Sequence, residues 1–183
     1  MKSIEILNEE HQNILKLIKI MRQMCIDVLN GGHFNTGDLI LASEFISGYG
    51  DAIHHSKEEE ILFKSMLDNL GPLAEKLIST GMMIEHDLGR YYNMSLKKAI
   101  ADYDSNPSSE NALDIITYIM AYSDLLKRHI EKEDTAVYPF AQRSLSEDAK
   151  TDIEEQSAKL DDSQVEDKEK FLKILDKLSA RIK

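Results

Sequence analysis

Apolar residues recur at helical spacing along nearly the whole chain. Ile4, Leu7, Ile14, Leu17, Ile18 and Met21 form one stripe, the i, i+3, i+4, i+7 signature of an amphipathic α-helix. Ser3 is the expected N-cap of this first helix and Asn30-Gly31-Gly32 its expected end: a serine hydroxyl satisfies an unpaired helix N–H, and glycine tolerates the left-handed turn that closes a helix. Asn35-Thr36-Gly37-Asp38 opens a second helix running to about Asn69, where Gly71-Pro72 stops it. A short helical turn is expected over Leu73 to Ser79, and Thr80-Gly81 reads as a further break. A third helix then runs from about Met82 to Tyr103, and Asp104 to Ser109 is a loop by composition. The fourth helix spans about Glu110 to Arg143, with a bend expected at Pro139, which has no N–H to donate.

Long helices joined by short links run antiparallel to their neighbours. Residues 1–145 therefore predict an all-α, up-down-up-down four-helix bundle. Residues 146–183 read as a C-terminal helical extension: Ser146-Glu147-Asp148 starts a helix, charge is dense through Gln164, and Phe171, Leu172, Leu175, Leu178 and Ile182 make an apolar stripe. Packing of that stripe on the outside of its own bundle is the expected use; a homodimer through the C-terminal helix, or a partner's helix, is the alternative.

Composition narrows the function. A chain of 183 residues with 8 Gly and 3 Pro suits a single helical core. Its net charge of −11 argues against nucleic acid and anionic membrane as partners. The single cysteine, Cys25, cannot form an intrachain disulfide and lies in an apolar pattern, which fits packing in a reducing compartment. Glu5, Glu9 and Glu10 interrupt any signal-like N-terminus, and no apolar run approaches the roughly 20 residues of a membrane span. The expected location is cytoplasmic.

The candidate chemistry lies in an internal repeat. His11 recurs as His86, His54 as His129 and Glu58 as Glu133, each 75 residues on. The same offset carries Glu10 onto Glu85, Lys57 onto Lys132 and Phe63 onto Tyr138. Residues i and i+4 share a helix face, so His54 with Glu58, and His129 with Glu133, present ligand pairs from the second and fourth helices. His11 and His86 add one imidazole each from the first and third. A lone His-x3-Glu is most often a surface pair, but burying four histidines and two glutamates without a cation is costly. The repeat predicts two similar metal half-sites, each with two histidines and a shared, bridging glutamate. Two divalent ions would be half neutralised by the two carboxylates and further by a hydroxide or oxo bridge.

Neighbouring residues divide less cleanly. Glu59 and Asp134, at i+5 from His54 and His129, are alternatives to Glu58 and Glu133 as bridges. His55 lies about 100° around the helix from His54, which places it outside the ligand set. His33 falls in a loop, and Glu10 and Glu85, adjacent to ligand histidines, are expected at the surface. Tyr118 and Tyr122 share the face of His129, where they pack or line a pocket. Gly50, one turn before His54, leaves room for a small ligand.

These stretches resemble the hemerythrin-like, HHE cation-binding family: Glu10-His11, His54-His55-Ser56-Lys57-Glu58-Glu59 ending in Leu62-Phe63, Met83 to Asp87 through Gly89-Arg90, and His129 to Asp134, in family order over about residues 1–145. The resemblance implies a four-helix bundle holding a non-haem di-iron centre, with His11, His54, Glu58, His86, His129 and Glu133 as ligands. Zinc or manganese suits the same donors. The chain departs from the oxygen carriers at Arg90, where they have a second histidine one turn after the one on the third helix. This points away from simple oxygen carriage and toward a protein that binds or reacts with O2, NO or H2O2 for sensing, storage or detoxification. An iron-donating or iron-centre repair protein, and a metal-stabilised interaction module, are the alternatives.

Overall fold

The computed structural model describes residues 1–181, which are helical almost throughout with no strand among them. Helix α1 is Lys2–Leu29. Helix α2 covers residues 36–70, α3 residues 72–105 and α4 residues 109–144, while α5 is Glu147–Ser163 and α6 Val165–Arg181. Cross-helix contacts fix the topology. Asn13 meets Tyr49 and Glu10 meets His54 across α1 and α2, while Ser43 meets Asn93 and Glu59 meets His86 across α2 and α3. Asp102 meets Asn111 and Glu85 meets His129 across α3 and α4, while Arg22 meets Met120 and His11 meets Asp134 across α1 and α4. Every adjacent pair is antiparallel, so α1–α4 form an up-down-up-down bundle.

Local chemistry sets most boundaries. The side chains of Asn35, Ser108 and Ser146 accept from the backbone N–H groups of Asp38, Asn111 and Ala149, satisfying the otherwise unpaired donors of α2, α4 and α5. Gly71, at φ 66° and ψ −155°, separates α2 from α3. Two expectations need correction. Ser3 is not an N-cap: α1 begins one residue earlier, and the Ser3 N–H and hydroxyl donate to the Glu154 carboxylate of α5 (3.2 and 2.7 Å). A carboxylate from another helix supplies the negative charge that an N-terminus favours. Thr80-Gly81 is not a break either. Gly81 keeps helical dihedrals, the Thr80 hydroxyl donates back to the Lys76 carbonyl, and the short 73–79 helix is fused to α3.

Widened, π-helical turns interrupt the bundle helices: Ile46–His55 and Glu58–Phe63 in α2, Ile78–Met82 in α3 and Glu133–Val137 in α4. The one in α4 takes the place of the expected bend before Pro139. Such turns insert an extra residue into the helical ladder and re-aim the side chains around them. Three of the four flank or contain the His-x3-Glu motifs.

Two apolar clusters fill the bundle. One joins Ile14, Leu17, Ile18 and Met21 to Tyr49, Leu96, Ile115 and Ile119. The other joins Leu7, Leu62, Phe63 and Met66 to Ile78, Val137 and Tyr138. The polar repeat residues lie between them along the bundle axis. Helix α6 packs against α1 and α2 through buried Leu175 and Leu178, with Phe171, Leu172 and Ile174 partly buried. Self-docking therefore uses the expected stripe, except Ile182, which lies outside the described residues. Gly48 makes this contact possible: a Cβ there would stand 1.8 Å from the Phe171 ring. No helix among the described residues is long and apolar enough to cross a membrane.

Candidate metal centre

The four bundle helices bring His11, His54, Glu58, His86, His129 and Glu133 together, every one at most 2% exposed. The imidazoles aim Nε2 at one space. His11 Nε2 lies 3.2 Å from Glu133 Oε2, and His129 Nε2 3.1 Å from Glu133 Oε1. His54 and His86 Nε2 each lie 3.5 Å from Glu58 Oε2. His86 and His129 Nε2 are themselves 3.1 Å apart. Donor atoms of His11, His54, Glu58 and Glu133 form one group spanning no more than 4.8 Å, and those of His55, Glu58, His86 and His129 form a second. Glu58 belongs to both groups, and Glu133 touches imidazoles of both, so each carboxylate stands where it can bridge two cations.

The donor set fits such ions. Glu58 Oε2 and both Glu133 oxygens are buried without a hydrogen-bond donor, which leaves strong acceptors unsatisfied in an interior where that costs about 1–3 kcal/mol or more each. Imidazole nitrogen and carboxylate oxygen are the ligands expected of iron, zinc or manganese. Tyr138 completes the wall: its hydroxyl donates to Glu58 Oε1 (2.6 Å) and its ring stacks on His11.

Every inward imidazole is oriented from behind. The Nδ1–H groups of His11, His54, His86 and His129 donate to Asp134, Glu10, Glu59 and Glu85 at 2.7, 3.1, 2.6 and 3.0 Å. Carboxylate–histidine pairs of this kind fix the tautomer and the ring plane of a ligand. This corrects the surface reading of Glu10 and Glu85. Glu10 does face away from its neighbour His11, but that direction points across the helix interface at His54, and Glu85 reaches His129 in the same way. Lys57 and Lys132 bind these two carboxylates, and Lys168 of α6 adds a 2.7 Å contact to Glu10. Asp134 and Glu59 likewise stand behind rings, while Glu58 and Glu133 face the interior. The 75-residue offset thus extends to the supporting carboxylates and lysines, a signal present in the sequence.

Protonation shows what the cluster demands. Burial would lower His11, His86 and His129, but the carboxylates around them outweigh it, Asp134 and Glu133 at His11 above all, and hold them at about 9, 9 and 10. Burial wins at His54, which falls to about 4. Burial and the adjacent Glu133 push Glu58 up to about 8. Burial would raise Glu133 too, but His129, His11 and His86 keep it well below the usual carboxylate range. The buried carboxylates draw positive charge, and in the absence of a metal protons supply it.

One wall of the centre departs from the repeat. A cleft of about 160 Å³ between α2, α3 and α4 runs from Arg90 and Asp51 to His55, His86 and His129. Tyr122 and Gly89 line it. Gly50 stands beside it: a Cβ there would approach the Tyr122 hydroxyl to 3.9 Å. Tyr118, by contrast, packs at the edge of the apolar core. His55, expected outside the ligand set, is buried behind the centre: its ring stacks on His86 at 3.7 Å with planes 8° apart.

A family model described as the Hemerythrin HHE cation binding domain matches residues 2–141. Comparison with curated proteins and with solved structures gave no match.

Proposed function

With the match extending over residues 2–141, the chain belongs to the hemerythrin HHE cation-binding domain family, and on that premise we propose a non-haem di-iron protein that binds or reacts with O2, NO or H2O2 for sensing, storage or detoxification. Its metal ligands in this reading are His11, His54, Glu58, His86, His129 and Glu133. The observation that carries it is the pair of buried carboxylates, each shared between imidazole groups, with three oxygens that no donor satisfies.

Two irons held by these residues would supply redox electrons and a position at which a small ligand could bind. The protein residues do the rest. The carboxylates behind the rings hold the proton on each Nδ1 and turn each Nε2 toward the centre. The apolar clusters above and below exclude water along the bundle axis, leaving the α2–α3–α4 cleft as the approach. Gly50, Gly89 and Tyr122 give that cleft an interior suited to a diatomic or peroxide rather than an organic substrate. Arg90 lines its mouth, held by Asp51 and Glu59 at 2.8 and 2.7 Å. Residues 146–183 act in this reading as an extension that supports the bundle from outside, reaching the Glu10 carboxylate through Lys168. Buried, unpaired Cys25 supports a reducing, cytoplasmic setting.

The test is anaerobic titration of the reduced, iron-loaded protein with NO, O2 and H2O2 in turn, followed by visible absorption. The reading expects a saturable new band with at least one of the three, lost in His86→Ala. A flat spectrum with all three overturns it.

A further inference from the structure

We propose that the C-terminal hairpin α5–α6 is coupled to the metal position of His11 and His54, with Lys168 as a positioning residue that acts on it through Glu10. Docking of the hairpin tightens the ion there, and the ion in turn tightens the docking. The inference rests on the dinuclear reading above and gives residues 146–183 a part in it that packing alone does not require.

Three contacts from the bend of the hairpin converge on the support of His54. First, Glu10 accepts from the His54 Nδ1–H through Oε2, at 3.1 Å, while its Oε1 takes Lys57 and, at 2.7 Å, Lys168 of α6. Second, Lys57 also donates to Asp161 of α5 at 2.7 Å. Third, Gln164, between α5 and α6, donates to the Ala52 carbonyl at 3.2 Å, inside the widened turn Ile46–His55 that carries His54. Two carboxylates and two ammonium groups thus balance one another behind a single ring. Glu10 and Lys57, the inner members, are 1% and 3% exposed. In such an interior charged hydrogen bonds count for more than in water, and removing one partner leaves a costly unpaired charge.

The other half has the same inner pair without the cover. The offset puts Glu85 and Lys132 in the places of Glu10 and Lys57, but their side chains are 18% and 45% exposed. Among the described residues, His129 and Lys132 are the side chains that reach Glu85. One molecule therefore shows this support both with and without a hairpin behind it. An extension that only covered apolar surface would do so through Phe171, Leu175 and Leu178, with no ionic reach to Glu10.

The coupling is reciprocal. Undocking strips Lys168 from Glu10 and Asp161 from Lys57, and admits water to the carboxylate that holds the His54 ring toward the centre. Whatever factor docking adds to the affinity for the ion, the ion adds to the docking equilibrium. Loss of the ion at His11 and His54 therefore loosens the hairpin and the cover it gives to Phe171, Leu175 and Leu178.

The experiment titrates the full-length, metal-free chain with Co(II) alone in competition with a chromophoric chelator, and reads amide exchange helix by helix in the empty and loaded states. In the wild type, loading is expected to slow exchange in α6 as well as in α1–α4. Lys168→Met keeps the aliphatic stem and removes the charge. It is expected to weaken one of the two ions about tenfold, the scale of supporting contacts to metal ligands, and to abolish the metal-dependent slowing in α6 while that in α1–α4 remains. Leu178→Ala loosens the far end of α6 and touches neither Glu10 nor the lysines; it too is expected to weaken one ion more than the other. Wild-type affinities in either variant, equal weakening of both ions, or slowing in α6 that survives Lys168→Met each overturn the coupling. If Lys168→Met fails to fold, Leu178→Ala decides alone. A wild type that binds a single ion refutes the dinuclear reading instead, and the response of α6 to that ion then decides the coupling.

Discussion

Glu58→Gln separates the cost of the centre from its purpose. In the metal-free protein, burial and the nearby Glu133 hold Glu58 up at about 8 against an ordinary value of 4.5. At pH 7 the folded state must keep neutral a group that would otherwise ionise about 2.5 pH units lower, at about 1.4 kcal/mol per unit, a penalty of about 3 kcal/mol. The sign is that of a carboxyl raised on folding: the stability it contributes is full below about 4.5 and is lost as pH climbs to about 8. Glutamine accepts the Tyr138 hydroxyl as Glu58 does, and it carries no charge to suppress. Metal-free Glu58→Gln is therefore expected to be more stable than metal-free wild type at pH 7. At about 2–4 °C per kcal/mol for a chain of this length, the melting temperature rises by roughly 6–12 °C, and the gap closes below pH 4.5. With metal present the order inverts, because the variant loses a bridging carboxylate. The assay is thermal unfolding by circular dichroism with and without metal, at pH 4 and pH 7. A variant less stable than wild type in both states would refute the reasoning, since it would make Glu58 a structural hydrogen-bonding group.

Other outcomes follow from the same structure. Glu10→Gln weakens the support behind His54 and is expected to lower metal affinity about 10–100-fold, as such orienting partners generally do, measured by chelator competition; unchanged affinity would remove Glu10 from the account. Gly48→Ala drives a methyl into the Phe171 ring and should cost about 1–3 kcal/mol by overpacking, with faster amide exchange confined to α6. Cys25, buried and pushed by that burial up to about 11, should resist alkylation at pH 8 in the native protein and react at once in denaturant; rapid native labelling would contradict the packing.

The fold was readable because the bundle helices carry regular apolar stripes and two of them, α2 and α4, are capped by local side chains. Where the reading failed, the deciding partner lay elsewhere in space. Ser3 pairs with Glu154, more than a hundred residues away, and Gly81 stays helical because nothing there requires a left-handed residue. The six inward-facing histidines and glutamates were legible through the 75-residue offset, since the two halves carry the same donors. Their supporting carboxylates share that offset, but a helix wheel drawn for one helix cannot show that Glu10 serves His54 on its neighbour. The stacking of His55 on His86 was hidden by a different cause: both rings sit beside π-helical turns, and the sequence bears no plain mark of where such turns form.

The central claim is that Glu58 and Glu133 are shared by two metal ions. Native mass spectrometry of the iron-loaded chain counts those ions directly. The account predicts two irons on the wild type, and no stable pair on the Glu58→Ala, Glu133→Ala double variant. A single iron on the wild type, or two irons retained after both glutamates are removed, would contradict it.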